Sequence, residues 1–149
     1  MLDIKDGTLR LPNGLALSPD TPLEPAALTG FKDKGDMYGL RVLFADGFDI
    51  WDRKFAMALR FEGGRLHYIE FIWKDGPVER LDYDATEKDL LGEKKQLVKM
   101  LTKHLGTGPT DTSLGVDYFP FPWGLVTARA DLKSTMCSIM IDYFYRTPS

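Results

Sequence analysis

The chain has 149 residues, 28% of them charged, with a formal net charge of −3. This length favours one domain over 1–149 with a core that needs neither disulfide nor metal. The composition excludes disordered, collagen-like and coiled-coil classes, and the mild charge speaks against nucleic-acid binding by bulk electrostatics.

The chain opens on charged residues (Asp3, Lys5 and Asp6) where a signal peptide would need an apolar run. The longest uncharged stretch, 118–128, falls far short of the roughly 20 residues of a spanning helix. A cytoplasmic protein with no membrane partner is expected. The single cysteine, Cys137, cannot form an internal disulfide and suits a reducing compartment. Leu9, Leu11, Leu15 and Leu17 alternate with polar or small residues around Pro12-Asn13-Gly14, which predicts a small hairpin. In 21–30, Thr21 can cap, Pro22 suits the first helical position and Glu24 stands three after the cap. These signals predict a short N-terminal helix stopped by Gly30. The polar run 32–36 predicts a turn.

Leu40, Val42 and Phe44 alternate against Arg41, Leu43 and Ala45, a strand pattern broken at Asp46-Gly47. The clearest hairpin covers 54–73. A three-residue loop, Glu62-Gly63-Gly64, sets Phe55, Met57 and Leu59 opposite Phe71, Ile69 and His67. A further short strand is expected over 78–83. Leu90, Leu91, Leu97, Val98, Leu101 and Leu105 then form one stripe at helical spacing. Thr86 and Asp89 resemble a capping box, and Gly106 is a natural stop. A polar loop is expected over 107–117, followed by a closing hairpin whose last strand turns Cys137, Ile139, Ile141 and Tyr143 to one side. Strands in hairpin series with one long amphipathic helix predict an α+β domain: an antiparallel sheet of about six to eight strands packed against that helix.

Chemistry-bearing patterns are sparse. The two histidines, His67 and His104, lack metal-ligand spacing. Cys137 falls on an apolar strand face, where a thiol behaves as a small hydrophobe. Residues 30–36 have the glycine spacing of a phosphate loop, but Asp36 stands where the lysine should be. Lys95, Lys99 and Lys103 form one row, as expected of the solvent face of a helix. No cofactor motif and no catalytic or metal-ligating set emerges, so no cofactor is expected and an enzyme is disfavoured. One acidic-aromatic cluster stands out: Asp46, Phe48, Asp49, Trp51 and Asp52. It reads either as a strand turn with solvated aspartates or as a surface that docks a basic partner.

The second feature is the run 118–125, in which Pro120 and Pro122 hold the chain extended around Phe119, Phe121 and Trp123. Gly124, lacking a Cβ, permits close packing beside Trp123. The expectation is a buried Trp123 seated beneath the long helix, with Tyr118 and Phe119 on the loop side.

Several motifs together resemble those of a group of small bacterial proteins. They are Leu105-Gly106, then Phe121-Pro122-Trp123-Gly124-Leu125-Val126, Asp131 and Ser134 at a turn, and Ser138, Ile139, Ile141 and Tyr143 in the last strand. The opening from Asp6 to Gly14 and the turn Gly63-Gly64-Arg65-Leu66 resemble the same group. Ala130 stands where that group carries tyrosine. Some of its members resemble immunity proteins of bacterial toxin–immunity systems. The resemblance implies a non-catalytic protein that binds one cognate toxin, and it carries over no catalytic residue. The expected contact residues are Asp46, Phe48, Asp49, Trp51 and Asp52, with Asp111, Asp117, Tyr118 and Phe119 of the second long loop. The alternatives are a small-ligand-binding domain or carboxylate enzyme with a pocket between sheet and helix, and a structural subunit of a larger assembly.

Overall fold

The computed structural model describes residues 1–74, 76–77, 84–113 and 115–144. The strand expected over 78–83 lies outside them. In chain order the elements are β1 (Leu9–Arg10), β2 (Ala16–Leu17), β3 (Lys32–Met37), β4 (Leu40–Ile50), β5 (Arg53–Glu62), β6 (Arg65–Trp73), α1 (Glu87–Leu105), β7 (Asp111–Ser113), β8 (Val116–Phe121), β9 (Gly124–Asp131) and β10 (Met136–Asp142). β1 and β2 form the expected small hairpin. The other eight strands make one sheet in the order β3-β4-β5-β6-β10-β9-β8-β7. Every pairing in it is antiparallel. Two meanders, one before and one after α1, therefore join where the last strand meets β6.

The joined meanders align their apolar residues into rows. Leu43, Leu59, Ile69, Ile141, Val126 and Phe119 are consecutive partners across β4-β5-β6-β10-β9-β8. None is more than 1% exposed. The next row runs Ala45, Met57, Phe71, Ile139, Ala128 and ends on Asp117. α1 covers this face over β9 and β10. Its start is the expected capping box between Thr86 and Asp89, and it ends at Gly106. Leu90, Leu97, Leu101 and Leu105 are buried as expected, joined by Met100 and Glu93, whereas Leu91 is exposed. Lys95, Lys99 and Lys103 face solvent.

The N-terminal segment covers part of the same face, and this corrects the placement of Trp123. The Trp123 Nε1–H donates to the Ile4 carbonyl at 2.8 Å. A Cβ on Gly7 would lie 2.5 Å from the indole. Tyr143 Oη donates to the Gly7 carbonyl at 2.6 Å. The indole is thus buried, as expected, but beneath residues 4–7 rather than beneath the helix. Gly124 serves the close approach inferred for it, since a Cβ there would meet the Asp142 carbonyl oxygen at 2.5 Å.

Four local expectations are corrected. First, residues 21–30 contain a single 3₁₀ turn, Pro25–Ala27, and no N-terminal α-helix. Pro25 pushes Glu24 out of helical geometry, to φ −134° and ψ 88°. The segment instead lies along the β5–β6 hairpin, with Pro22 bridged to Arg65 and the Leu23 N–H donating to the Gly64 carbonyl. Second, the polar run 32–36 lies in strand β3. Third, the loop expected over 107–117 contains β7 and the start of β8. Fourth, the β5–β6 hairpin closes on a two-residue turn, Gly63-Gly64, both with positive φ. Glu62 pairs with Arg65, and a register shift after Arg60 puts Phe55 opposite Trp73 and Met57 opposite Phe71. This differs by two residues from the expected register, so each side chain keeps its face. Asp46-Gly47, expected to end β4, instead marks a bulge within it.

Candidate partner-binding surface

The acidic-aromatic cluster lies at the end of the β4–β5 hairpin. Ile50 pairs with Arg53, so Trp51 and Asp52 form a two-residue turn, with φ of 53° and 63°. Trp51 turns inward: it is 4% exposed and packs against Phe55 and Phe71 at ring-centroid distances of 6.1 and 5.3 Å. Phe48 is half-buried and stacks on Phe31 at 5.5 Å. With both rings held by the fold, the three aspartates project outward. The Asp46 and Asp52 side chains are 87% and 83% exposed, and Asp49 is exposed beside them. Asp46 lies 3.5 Å from Lys74 Nζ. Asp52 lies 3.8 Å from Nε2 of His104, in the last turn of α1. The turn is thereby tied to the end of the helix while its carboxylates stay in water.

The second group divides. Asp111 is exposed on β7, and its strand partner Tyr118 is half-buried. Phe119 is 1% exposed and closes a core row, so it is a packing residue and not a loop-side contact. Asp117 is also buried. Its Oδ2 lies 2.8 Å from Lys94 Nζ of α1, and the Thr112 hydroxyl donates to its Oδ1. That ion pair docks the helix on the sheet. β4 and β8 are separated by β5, β6, β10 and β9. Five inter-strand steps measured along the sheet are on the order of 24 Å, so the two groups are not adjacent there.

Sequence reasoning missed the sheet's other face. A row of partners Ala58, Glu70, Met140, Thr127 and Tyr118 crosses it, and Ser138, Arg129 and Val116 form the next row. Small side chains lie low between long ones, which hollows the surface. A concavity of about 790 Å³ results, reaching the β9–β10 turn and the exposed Leu91. The Arg60 guanidinium pairs with Glu70 across it at 3.1 Å, and Arg129 Nε donates to the Thr127 hydroxyl at 3.2 Å. Period-two alternation signals such a face, but it does not tell which set of residues the fold covers. Between sheet and helix the space is filled by fully buried Leu97 and Leu101.

The chemistry available is that of a binding surface. Cys137 is 2% exposed and its Sγ lies 3.1 Å from the Leu90 carbonyl. Burial, reinforced by the charge of Glu93, pushes its thiol up to about 12. His67 is sandwiched between Tyr68 and Phe144 at 3.8 and 3.9 Å. Among the described residues no group of three or more His, Cys, Asp or Glu side chains could share a metal ion.

No protein-family model matches the chain, and no curated protein matches it. Among solved structures it is similar to a chain of one described as "Rhs1-CT in complex with cognate immunity protein RhsI1". The TM-score is 0.54 at 16% sequence identity, over 96% of this chain and 86% of that chain. At that identity the likeness is one of fold, and it spans both chains almost throughout. The sequence motifs that resemble those of immunity-like proteins thus coincide with a fold found in an immunity-protein complex.

Proposed function

We propose that this protein is an immunity-type protein that binds a cognate toxin in the cytoplasm and neutralises it. The observation that carries this reading is the fold likeness to a chain of a complex with a cognate immunity protein, extending over 96% of the present chain. The formal charge of −3 and the exposed Asp46, Asp49 and Asp52 are suited to steering a basic partner. In this reading those three residues make direct contacts, with Asp111 and Tyr118 as further contacts toward the opposite sheet edge. Phe48, Trp51, Asp117 and Phe119 hold the surface in shape from beneath.

The test is co-expression with the toxin-like product of the neighbouring gene, scored by survival and by co-purification. Survival is expected with the wild-type protein. Equal death with and without it would overturn the proposal. The double charge reversal Asp49→Lys/Asp52→Lys should weaken capture roughly tenfold or more, with an unchanged thermal midpoint because both side chains are solvated. Unchanged affinity would remove the acidic turn from the interface.

A further inference from the structure

We propose that the tip of the β3–β4 hairpin, Met37 and Tyr38, is an anchor that enters an apolar-floored cleft on the protein partner. The inference rests on the immunity reading and names a contact that the reading leaves open. Met37 pairs with Leu40, so Tyr38 and Gly39 form a two-residue turn, with φ of 53° and 81°. Turns of this kind favour asparagine or glycine at the first position, because a side chain there crowds the backbone. Trp51 meets the same strain in the β4–β5 turn, and its indole is rewarded with burial to 4%. Tyr38 gains nothing comparable within the fold. It is 102% exposed, and Met37 beside it is 49% exposed. A strained backbone that presents a wet phenol and a thioether is explained by a surface outside this chain.

The neighbouring edge narrows the kind of contact. β3 is an edge strand whose register shifts between Asp33 and Gly35. The Asp33 carboxylate accepts from the Gly35 N–H and pairs with Arg41, and the Arg41 guanidinium holds it down to about 2. A bulge flanked by Lys32 and Lys34 discourages a partner strand from pairing along this edge. The tip is therefore the projecting element, and contact is through side chains. Lys32 and Lys34 are balanced by Asp33 and Asp36, so the tip suits neither an anionic polymer nor a lipid headgroup. Tyrosine is among the residues enriched at the centres of protein interfaces.

Tyr38→Asn tests the inference, because asparagine tolerates the turn while deleting the ring. The probe is the toxin-like product of the neighbouring gene, titrated against purified wild-type and variant proteins. The expected result is a thermal midpoint equal to or above wild type and an affinity lower by roughly tenfold or more. Tyr38→Phe should stay much nearer to wild type. Affinity of Tyr38→Asn within about twofold of wild type would overturn the anchor while leaving the immunity reading intact. A lowered midpoint would assign Tyr38 to the fold and overturn it too. So would a wild-type dimer that the substitution converts to monomer, because the tip would then contact a second copy of this chain. Capture by neither protein would overturn the immunity reading itself, and the anchor with it.

Discussion

Lys94→Met removes the cation that faces Asp117 and keeps an unbranched stem of similar length, so the packing of the stem on the helix flank survives. The two side chains are 12% and 9% exposed and stand 2.8 Å apart. At an effective dielectric of about 20, their attraction is on the order of 6 kcal/mol. Desolvation of both groups offsets much of that, so the pair as a whole contributes little net stability. Breaking it is a different matter. Asp117 ends the core row Ala45, Met57, Phe71, Ile139 and Ala128, and a lone carboxylate there keeps its burial cost with only the Thr112 hydroxyl to offset it. The expected loss is about 3 kcal/mol, or roughly 6–12 °C in thermal midpoint for a chain of this size. Urea unfolding at neutral pH, followed by tryptophan fluorescence, reads the difference. The double variant Lys94→Met/Asp117→Leu should recover most of the loss, because an apolar residue completes the row. A single variant within about 1 kcal/mol of wild type, or a double variant no better than the single, would refute the claim that this pair is desolvated.

Gly124→Ala should destabilise by about 3 kcal/mol or prevent folding, because the added methyl meets the backbone of the neighbouring strand at Asp142 and Tyr143. Circular dichroism and soluble yield check this, and a wild-type midpoint would show that β9 and β10 are less closely apposed. Cys137 should resist a thiol reagent at pH 8 in the folded protein and react promptly in urea. Its folded value, about 12, lies above the ordinary 9.0. The stabilisation from keeping this thiol neutral is therefore complete below about pH 9 and is lost as pH rises toward 12. Prompt labelling of the native protein would show that the site opens locally.

The parts legible in the sequence share a cause. Capping of α1 at Thr86 and Asp89, its stop at Gly106 and the turn at Gly63-Gly64 are decided within a few residues. The apolar alternation of β5, β6 and β10 reports burial on one face. Even the two-residue difference in the β5–β6 register was harmless, because side chains alternate with a period of two and kept their face. The edge strands β3 and β7 were not legible in this way. All but one of their residues are exposed, so neither carries an apolar alternation and both read as turns or loops. Of the candidate contacts, Asp46, Asp49, Asp52 and Asp111 are exposed as their polarity suggests. Burial of Asp117 depends on Lys94 in another element, and burial of Phe119 on a row spanning six strands.

By itself the sequence determined an α+β chain with one long helix, antiparallel hairpins, a buried Trp123 and a close approach at Gly124. Each of these follows from periodicity, capping or backbone sterics acting locally. The tertiary structure alone decided that β10 closes against β6, that residues 4–7 rather than the helix cover Trp123, that residues 21–29 lie along a hairpin and not in a helix, and that one sheet face stays open. Those outcomes depend on contacts between residues far apart in the chain, as between Ile4 and Trp123. Their free energy exists only once the two meanders have met, so local pattern carries no trace of it.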